Sequence, residues 1–457
     1  MIHEARRAAW RWPADRARPS GRRGPALALL LLGALARPAR AETLTLEAAV
    51  ARALQANPSV RAARLASVAA QARSGQALAR HLGDADLLGG ASRFESRRLI
   101  APLAGPVTPA VIAGLPFDRD QVHYGVAWQI PLFVGGALVE GDRAAELAEA
   151  AARSAEARAR EELRYNVRAA YRSVLVVRHA LAAAGAYEEA LARDDASARL
   201  RVETAAWAPA DAAKVSFARA SATARAAALA AQLRSATGLL AALLGEDPAA
   251  ARYELEDLPD EPIRAAPPAA ELGEIALARR SDLRAAGEGA AAGRARVAAT
   301  TAGFWPQLSF VGNVFENRGV LIDRQVETWE LTLQVKIPLF SDLGRFHAAR
   351  EARAAAAEAE ERARAKALEV AAQVVDAEGR VEAARAALAA GRSQRALGAE
   401  VARVEKLRFE AGTDKVEDYL SARASELDGE TGYWAALYAL QSAHDYLELA
   451  SGTGGSP

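Results

Sequence analysis

Two long tracts, 141–206 and 342–411, constrain this 457-residue chain more than any other feature of its sequence. Both are built mainly from Ala, Arg, Glu and Leu, with few glycines and no proline, which is the composition of a long helix or a coiled coil. At 1.5 Å per residue, each helix would be about 100 Å long. A helix of that length does not fit inside an ordinary globular domain, so the sequence predicts a mostly helical protein with very long helices.

Shorter helical tracts flank each long one, and their lengths sum to roughly that of the long tract. They cover 46–80 and 210–245 in the first half, and 271–302 and 414–450 in the second. This predicts that each long helix pairs with two short helices stacked end to end. Frequent alanine lets neighbouring helices approach closely on both flanks, as in the wall of a tube. The alternative is a solvated helical spacer or an ordinary coiled coil, although clean heptads with a Leu or Ile seam are absent.

The beginning of the chain predicts export from the cytoplasm. Residues 1–24 are rich in Arg, residues 25–36 are apolar and 39–41 fit a small-x-small cleavage site, so residues 1–41 are expected to be a cleaved signal peptide. A membrane anchor is the alternative, but the apolar run is shorter than the roughly 20 residues that span a bilayer.

Charge and cysteine content exclude several function classes. The nominal net charge is +1, but the residues after the expected signal peptide hold 49 basic and 55 acidic side chains, a balance of −6 that does not favour nucleic-acid binding. Since the chain has no cysteine, disulfides, thiolate catalysis and Cys-ligated zinc are excluded.

Four segments between the helices alternate between apolar and polar residues, near 86–97, 123–130, 307–314 and 329–337. One apolar and one polar face, with aromatic residues near the segment ends, favour strands that cross an outer membrane at a tilt. A soluble antiparallel sheet is the alternative, because it alternates in the same way. The positions expected to face the membrane are Tyr124, Val126, Trp128, Ile130, Leu308, Phe310, Trp329, Leu331, Leu333, Val335 and Ile337.

The tetrapeptide IPLF occurs at 130–133 and again at 337–340, a spacing of 207 residues. The same offset places Asp211 on Asp418. Because the offset holds across a whole helix, the sequence predicts an internal two-fold repeat.

Each copy of the repeat is expected to contain a helix, two strands, a long helix and a second helix. The first copy covers 42–262 and the second covers 263–450, and a disordered tail is expected at 451–457. A Pro- and Gly-rich loop at 98–120 and a shorter loop at 316–327 would join the strands of each pair on one side of the membrane.

Four strands are too few to close a barrel within one chain. An open sheet edge in lipid would leave backbone groups unsatisfied, at several kcal/mol each. The strands must therefore be pooled between copies. Two chains would give an eight-stranded barrel filled by side chains, and three would give twelve strands around a lumen.

The order and doubling of these segments resemble the TolC-like outer-membrane efflux protein family over essentially all of 42–450. The marks are LTLEAAVARALQANPSVRAAR at 44–64, ELGEIALARRSDLRAA at 271–286, the paired IPLF segments with a following Gly, and RFEAGTDKVEDYLSA at 408–422. The resemblance implies an α+β membrane protein: a homotrimer whose twelve-stranded β-barrel, with four strands per chain, is continuous with a long periplasmic α-helical barrel.

The same resemblance implies a function and partners. The chain would be the outer-membrane exit duct of a tripartite efflux or type I secretion system. It would dock on a periplasmic adaptor, the membrane fusion protein, and on an inner-membrane RND-type pump or ABC exporter, and would pass their substrates to the exterior.

The family's turn between its last two helices can be followed into this sequence, where it implies residues that face the axis at a closed periplasmic entrance. The implied aperture residues are Asp211, Phe409, Asp414, Asp418 and Ser421. The implied adaptor contacts at the helical tips are Trp207, Leu407, Gly412 and Thr413.

The sequence departs from the family pattern at three of these positions. Ser421 stands where a second acid is common. Phe409 lacks the hydroxyl that, in the prototype, donates to the position of Asp211. The first turn has Ala205 in place of Gly, followed by Trp207 and Pro209.

Three copies of Asp418 near a symmetry axis would form an acidic ring. Such a ring favours cations, and mutual repulsion raises the pKa of its carboxylates. The alternative is that Asp418 is a helix-start residue favoured by the positive end of the helix dipole, or is simply solvated.

An enzyme and a soluble periplasmic coiled-coil adaptor or scaffold are the rival functions. The histidines are scattered, and the sequence contains no His-x-x-x-His pair, Ser elbow or Gly-rich phosphate loop, so no catalytic residue, metal site or cofactor is predicted. A soluble adaptor would also carry a long helical hairpin. Helices on both sides of each strand pair favour the channel.

Overall fold

Six strands and eight α-helices make up the part of the chain that the computed structural model describes. The described residues are 42–102, 108, 111–112, 114–259, 268–339, 343–411, 413 and 415–454. The helices are α1 (Leu46–Ala56), α2 (Pro58–Ala79), α3 (Ala137–Glu203), α4 (Pro209–Leu244), α5 (Ala269–Arg279), α6 (Ser281–Thr301), α7 (Gly344–Glu410) and α8 (Val416–Ser451). The strands are β1 (Glu42–Leu44), β2 (Asp84–Leu99), β3 (Phe117–Val134), β4 (Tyr253–Leu255), β5 (Gln307–Gly319) and β6 (Arg324–Lys336). The expected signal peptide, 1–41, lies outside the described residues, as do Gly412 and Asp414.

The two long helices are present as predicted. Helices α3 and α7 have 67 residues each, which makes both about 100 Å long. Helices α4 and α8 have 36 residues each and run back along them. All four bounds of α7 and α8 follow those of α3 and α4 at the spacing of the two IPLF segments.

Each predicted short tract before a strand pair is broken into two helices. In the first, Pro58 begins α2, and the Asn57 side chain caps it and donates from Nδ2 to the Leu243 carbonyl at 2.8 Å. In the second, the buried Arg280 side chain separates α5 from α6 and donates to the Ala450 carbonyl at 3.2 Å. At each break, therefore, a side chain is hydrogen-bonded to the last turn of a returning helix. This helix is α4 in the first half of the chain and α8 in the second.

The strands β2, β3, β5 and β6 form one antiparallel sheet in that order, and β1 pairs with β4 in a separate two-stranded sheet. The edges of the larger sheet are β2 and β6, so it is open within the described residues. The weakest predicted segment, 86–97, is part of β2, whose pairing with β3 is interrupted between Arg93 and Arg98. The alternation of apolar and polar residues in the sequence does not predict this interruption.

Cross-strand register places exposed apolar residues of all four strands in one row. Leu87, Val126, Val314 and Trp329 lie opposite one another across all four strands and are all exposed. In the next row Trp128 lies over Gly312, where a Cβ would come within 2.3 Å of the indole ring.

The apolar rows are about 20 Å long, measured along β5 from Leu308 to Val314 at 3.3 Å per residue. Ile337 is the exception among the predicted positions, because β6 ends at Lys336, and Pro338 beyond Ile337 has no N–H to donate to a ladder.

Helices α2, α3, α6 and α7 lie side by side in that order, and α4 and α8 also pack against α3. One core cluster joins α1, α3 and α4 around Tyr171, whose hydroxyl donates to the carbonyls of Leu44 and Glu256. A second cluster joins α5, α7 and α8. Burial of the small side chains along these seams confirms that alanine permits close helix contacts on more than one flank.

The end of the chain differs from the expectation of a disordered tail at 451–457. Ser451 is the last residue of α8, and Gly452 caps the helix with a φ of 69°. The N–H groups of Thr453 and Gly454 donate to the Glu448 carbonyl. The predicted tail is therefore wrong for 451–454, and 455–457 lie outside the described residues.

Within the described residues one helix, α4, is long and apolar enough to cross a membrane by length and composition alone. Helix α4 begins where α3 ends, about 100 Å from the strand that precedes α3. It therefore cannot share a bilayer with the sheet, whose strands carry the exposed apolar band.

Candidate functional site at the helix turns

The candidate site consists of the two turns farthest from the sheet, which join α3 to α4 and α7 to α8. In the first turn Ala205 has a φ of 56°, and the N–H of Ala206 donates to the Arg201 carbonyl at 2.8 Å. The N–H of Ala205 itself donates to the Val202 carbonyl. These two bonds form a Schellman motif, in which glycine is usual at the position of Ala205.

The second turn repeats the first of these two bonds. The N–H of Thr413 donates to the Arg408 carbonyl at 3.0 Å, the equivalent of the bond from Ala206 to Arg201. The first turn therefore keeps the Schellman shape although the sequence lacks its glycine. The strain of an alanine in the left-handed region is about 1–2 kcal/mol.

Three aromatic rings connect the two turns, and we call Trp207, Phe409, Tyr419 and Arg201 the tip cluster. The ring of Phe409 is stacked on Tyr419 at 4.5 Å and 3°, and meets the edge of Trp207 at 5.3 Å and 68°. The Arg201 guanidinium lies 5.0 Å from the centroid of Trp207. Phe409 and Trp207, predicted as an aperture residue and an adaptor contact, are therefore packed against each other and half-buried.

Tyr419 is a member of the tip cluster that the sequence prediction missed. Its side chain is buried, and its hydroxyl donates to Asp194 Oδ2 on α3 at 2.7 Å. Burial raises the pKa of Tyr419, and the hydrogen bond to Asp194 raises it further. The available sequence signal is the aromatic residue directly after Asp418 in the otherwise polar first turn of α8.

Lys214 makes the polar link between the turns. Its ammonium donates to Asp211 Oδ1 at 2.9 Å and to Glu417 Oε1 at 2.6 Å. The hydrogen bond from Lys214 holds the pKa of Glu417 below its usual value, and that same bond raises the pKa of Lys214. Asp211 thus accepts from a lysine of its own helix, in place of the hydroxyl that Phe409 lacks.

A buried acid fixes α4 on α3 beside this link. Asp195 is only 1 % exposed, and it accepts hydrogen bonds from Ser216, Arg219 and Arg199. The bond from Ser216 is the main reason that the pKa of Asp195 is lowered. With three donors for one carboxylate, the first pair of helices is held firmly up to the turn.

The remaining predicted positions do not join the tip cluster. Asp418 and Ser421 lie three residues apart on one face of α8, and both are exposed in the single chain. Leu407 and Thr413 are also exposed at the turn. Gly412 and Asp414 lie outside the described residues, and no group of His, Asp or Glu that could hold a metal ion occurs among the residues that are described.

Comparison with known proteins agrees with this architecture. Residues 272–453, which hold α5 to α8 with β5 and β6, match the family model described as "Outer membrane efflux protein". This part of the chain is similar to the outer membrane efflux proteins. No curated protein sequence matches the chain.

Solved structures of outer-membrane proteins share the fold of this chain over nearly its whole length. The Campylobacter jejuni CmeC outer membrane channel aligns with a TM-score of 0.79 at 16 % identity, over 90 % of this chain and 86 % of that one. The outer membrane protein VceC of Vibrio cholerae aligns with a TM-score of 0.73 at 18 % identity, over 89 % and 96 %. The open state of the Neisseria gonorrhoeae MtrE outer membrane channel gives 0.70 at 20 %, over 89 % and 88 %.

These likenesses concern the fold, because the identities are low. They confirm the predicted helical α+β architecture of outer-membrane efflux channels. The family and the structural neighbours are channel proteins and not enzymes.

Proposed function

We propose that this protein is an outer-membrane exit duct of an efflux or secretion system, extending into the periplasm. The observation that carries the proposal is an open four-stranded sheet with an exposed apolar face, continuous with two 67-residue helices. Strands with an exposed apolar face about 20 Å long suit an outer membrane, and helices about 100 Å long reach far into the periplasm. The soluble scaffold is the weaker candidate, since Leu331, Leu333 and Val335 would present a large apolar patch to water.

The duct is a homotrimer with a twelve-stranded barrel. The open edges β2 and β6 need partners in a membrane, and copies of the same chain supply them. Three copies give twelve strands around a lumen, whereas two would give a barrel filled by side chains.

An internal two-fold repeat underlies each subunit. The bounds of α3 and α4 recur in α7 and α8 at the spacing of the two IPLF segments. The carbonyls held at the two helix breaks, of Leu243 and Ala450, have the same spacing. So do Gly245 and Gly452, which end α4 and α8 with positive φ.

The two turns form the periplasmic end, where a periplasmic adaptor would dock and an inner-membrane pump would deliver its substrate. Exposed Leu407 and Thr413 are available to such a partner. Asp418 and Ser421 face the pore axis, and three copies of Asp418 form an acidic ring that favours cations. The tip cluster and Lys214 hold the two turns of each subunit together around this aperture.

The test combines fractionation with planar-bilayer recording. The mature chain should be found in the outer-membrane fraction and migrate on a gel as a heat-sensitive oligomer. The detergent-purified protein should form channels when it is added to planar lipid bilayers. In Asp418→Ala channels, block by divalent cations on the periplasmic side should weaken severalfold, because the ring loses its charge.

Ser421→Ala is the matched control, since it changes the same face of α8 without removing charge. A monomeric chain that is released by osmotic shock and forms no channel would contradict the duct. Channels whose divalent block is the same with and without Asp418 would contradict the acidic ring alone.

A further inference from the structure

A groove of about 1020 Å³ runs along the helices α2, α3, α6 and α7, just below the sheet. Its floor consists of small residues, such as Gly141, Ala145 and Ala148 on α3, Gly293 on α6 and Ala352 and Ala355 on α7. Small side chains on one face allow a row of helices to curve towards that face. The groove therefore marks the concave side of the wall.

The charged side chains of the groove are mostly cationic. Arg73 lines it from α2, Arg80 from the turn that directly continues α2, and Arg296 from α6. Arg73 and Arg80 share one helix face, because their separation is close to two full turns. The only carboxylate among the described lining residues is Glu351 on α7. Every charged residue within α2 is an arginine, so this helix brings no acid of its own to neutralise the patch.

Two hydrogen bonds show that the three arginines lie within about 10 Å of one another along the wall. Ser67 on α2 donates to Glu156 on α3, and Ser154 on α3 donates to Glu288 on α6. Both α2 and α6 run antiparallel to α3, so residues can be counted along each helix from these two bonds. Arg80 and Arg296 then lie level with residues of α3 just before Ala148, and Arg73 lies level with residues just after it. The cations thus flank the alanine floor of α3 from both sides.

We propose that Arg73, Arg80 and Arg296 form a cationic collar that attracts anionic solutes to the tunnel below the barrel. This inference rests on the proposed duct, because the concave face lines a lumen only in the assembled tube. Within a low-dielectric wall, charges of one sign raise the local concentration of the opposite ion, and rings of arginine favour anions in pores. The collar is opposite in sign to the ring of Asp418 and lies at the other end of the helices, so the duct presents two charge filters in series.

The absence of cysteine allows a direct measurement of the potential at the collar. A single thiol introduced by Ala148→Cys can be modified by an anionic methanethiosulfonate, the ethylsulfonate, or by a cationic one, the ethyltrimethylammonium. In the assembled protein the ratio of anionic to cationic rates should fall about fivefold at roughly 10 mM salt when Arg73 and Arg296 are both changed to Gln. The difference should largely vanish near 1 M salt.

Arg64→Gln is the matched control, because Arg64 lies on the same helix but does not line the groove. It should leave the rate ratio unchanged. The collar would be overturned if the ratio of anionic to cationic rates were the same with and without the two Gln substitutions. It would also be overturned if Arg64→Gln lowered that ratio as much as they do.

Bilayer recording of the same variants separates the collar from the duct. The double Gln variant should shift the reversal potential in a KCl gradient towards cation preference, while Arg64→Gln should not. No shift in conducting channels overturns the collar as a selectivity element. A parent protein that forms no channel contradicts the proposed function, and the thiol rates then still decide whether the cationic groove exists.

Discussion

Ala205 is the residue at which sequence and backbone conformation disagree most clearly. Its φ of 56° belongs to the left-handed region, and the two bonds of its Schellman motif require that conformation. Lys214 and the tip cluster hold the turn in place from outside, which explains how an alanine can be kept there. A residue without a Cβ would fit the same turn with less strain.

We therefore expect Ala205→Gly to stabilise the turn between α3 and α4. Relief of about 1–2 kcal/mol of strain outweighs the added freedom of glycine in the unfolded chain, leaving a net gain of about 0.5–1 kcal/mol. Amide hydrogen exchange at residues 201–207 should slow about two- to fivefold. Ala206→Gly is the control, since Ala206 is outside the left-handed region, and there exchange should become faster. Faster amide exchange in the Ala205→Gly variant would contradict the conclusion that Ala205 is strained.

His444 on α8 gives the stability a dependence on pH. Its Nε2 is buried without a hydrogen-bond partner among the described residues, and burial lowers its pKa, with Arg385 lowering it further. Below about pH 6.5 the unfolded chain gains a proton that the folded chain resists, so this group destabilises the fold as the pH falls through that value. At higher pH its contribution is constant.

Replacement of His444 by Leu should therefore reduce the loss of thermal stability between pH 7.5 and pH 5.5. Leucine fills much of the same space and carries no proton to bind. The measurement is the midpoint of thermal unfolding in detergent at both pH values. His347→Leu is the control, because His347 is exposed, and it should retain the full pH effect. An equal shift in the His444→Leu protein and the parent would contradict this origin.

At the scale of elements, the four helices at the tip are joined by contacts of unequal strength. Helices α3 and α4 share the buried Asp195 network, whereas α4 and α8 are joined near the turns by the exposed pair of Lys214 and Glu417. An exposed ion pair contributes little to stability and is screened by salt. Of these two polar seams, the one between α4 and α8 is therefore the weaker, and the aromatic rings of the tip cluster join the two turns beside it.

Lys214→Gln should loosen this seam without unfolding either helix pair. Hydrogen exchange in the first turns of α4 and α8 should rise by up to about fivefold at low salt, and parent and variant should converge near 1 M salt. Arg225→Gln is the control, since its pair with Asp428 joins the same two helices further from the turns. Exchange that is unaffected by Lys214→Gln, or equally raised by Arg225→Gln, would show that the aromatic rings alone hold the turns.

At the scale of the whole molecule, local patterns predicted the elements well and the contacts between them poorly. The composition of the long tracts predicted α3 and α7 to within a few residues, and alternation predicted the face shared by Val126, Val314 and Trp329. The reason is that both are periodic properties of one segment. The break at Pro58 was also visible, as an Asn-Pro pair, but was passed over within a continuous helical tract.

The contacts that sequence could not supply depend on distant partners. The burial of Arg280 depends on distant partners, because its guanidinium donates to the Ala450 carbonyl and to Gln373 on α7 as well as to the neighbouring Asp282. The bulge between Arg93 and Arg98 is likewise defined by the partner strand β3. At the candidate site, Asp211 was identified but its donor Lys214 was not, and the packing of Phe409 against Trp207 joins residues that lie in opposite halves of the chain.

The equal lengths of α3 and α7 have a consequence for how such a chain can vary. Their ends reach the same height, so the two turns finish flush with each other. One extra residue in a single long helix would lift its turn by about 1.5 Å and rotate it by about 100°, which would separate Trp207 at the first turn from Phe409 at the second. Length changes should therefore be tolerated only in pairs, one in each half of the chain, or in whole turns balanced by the returning helix.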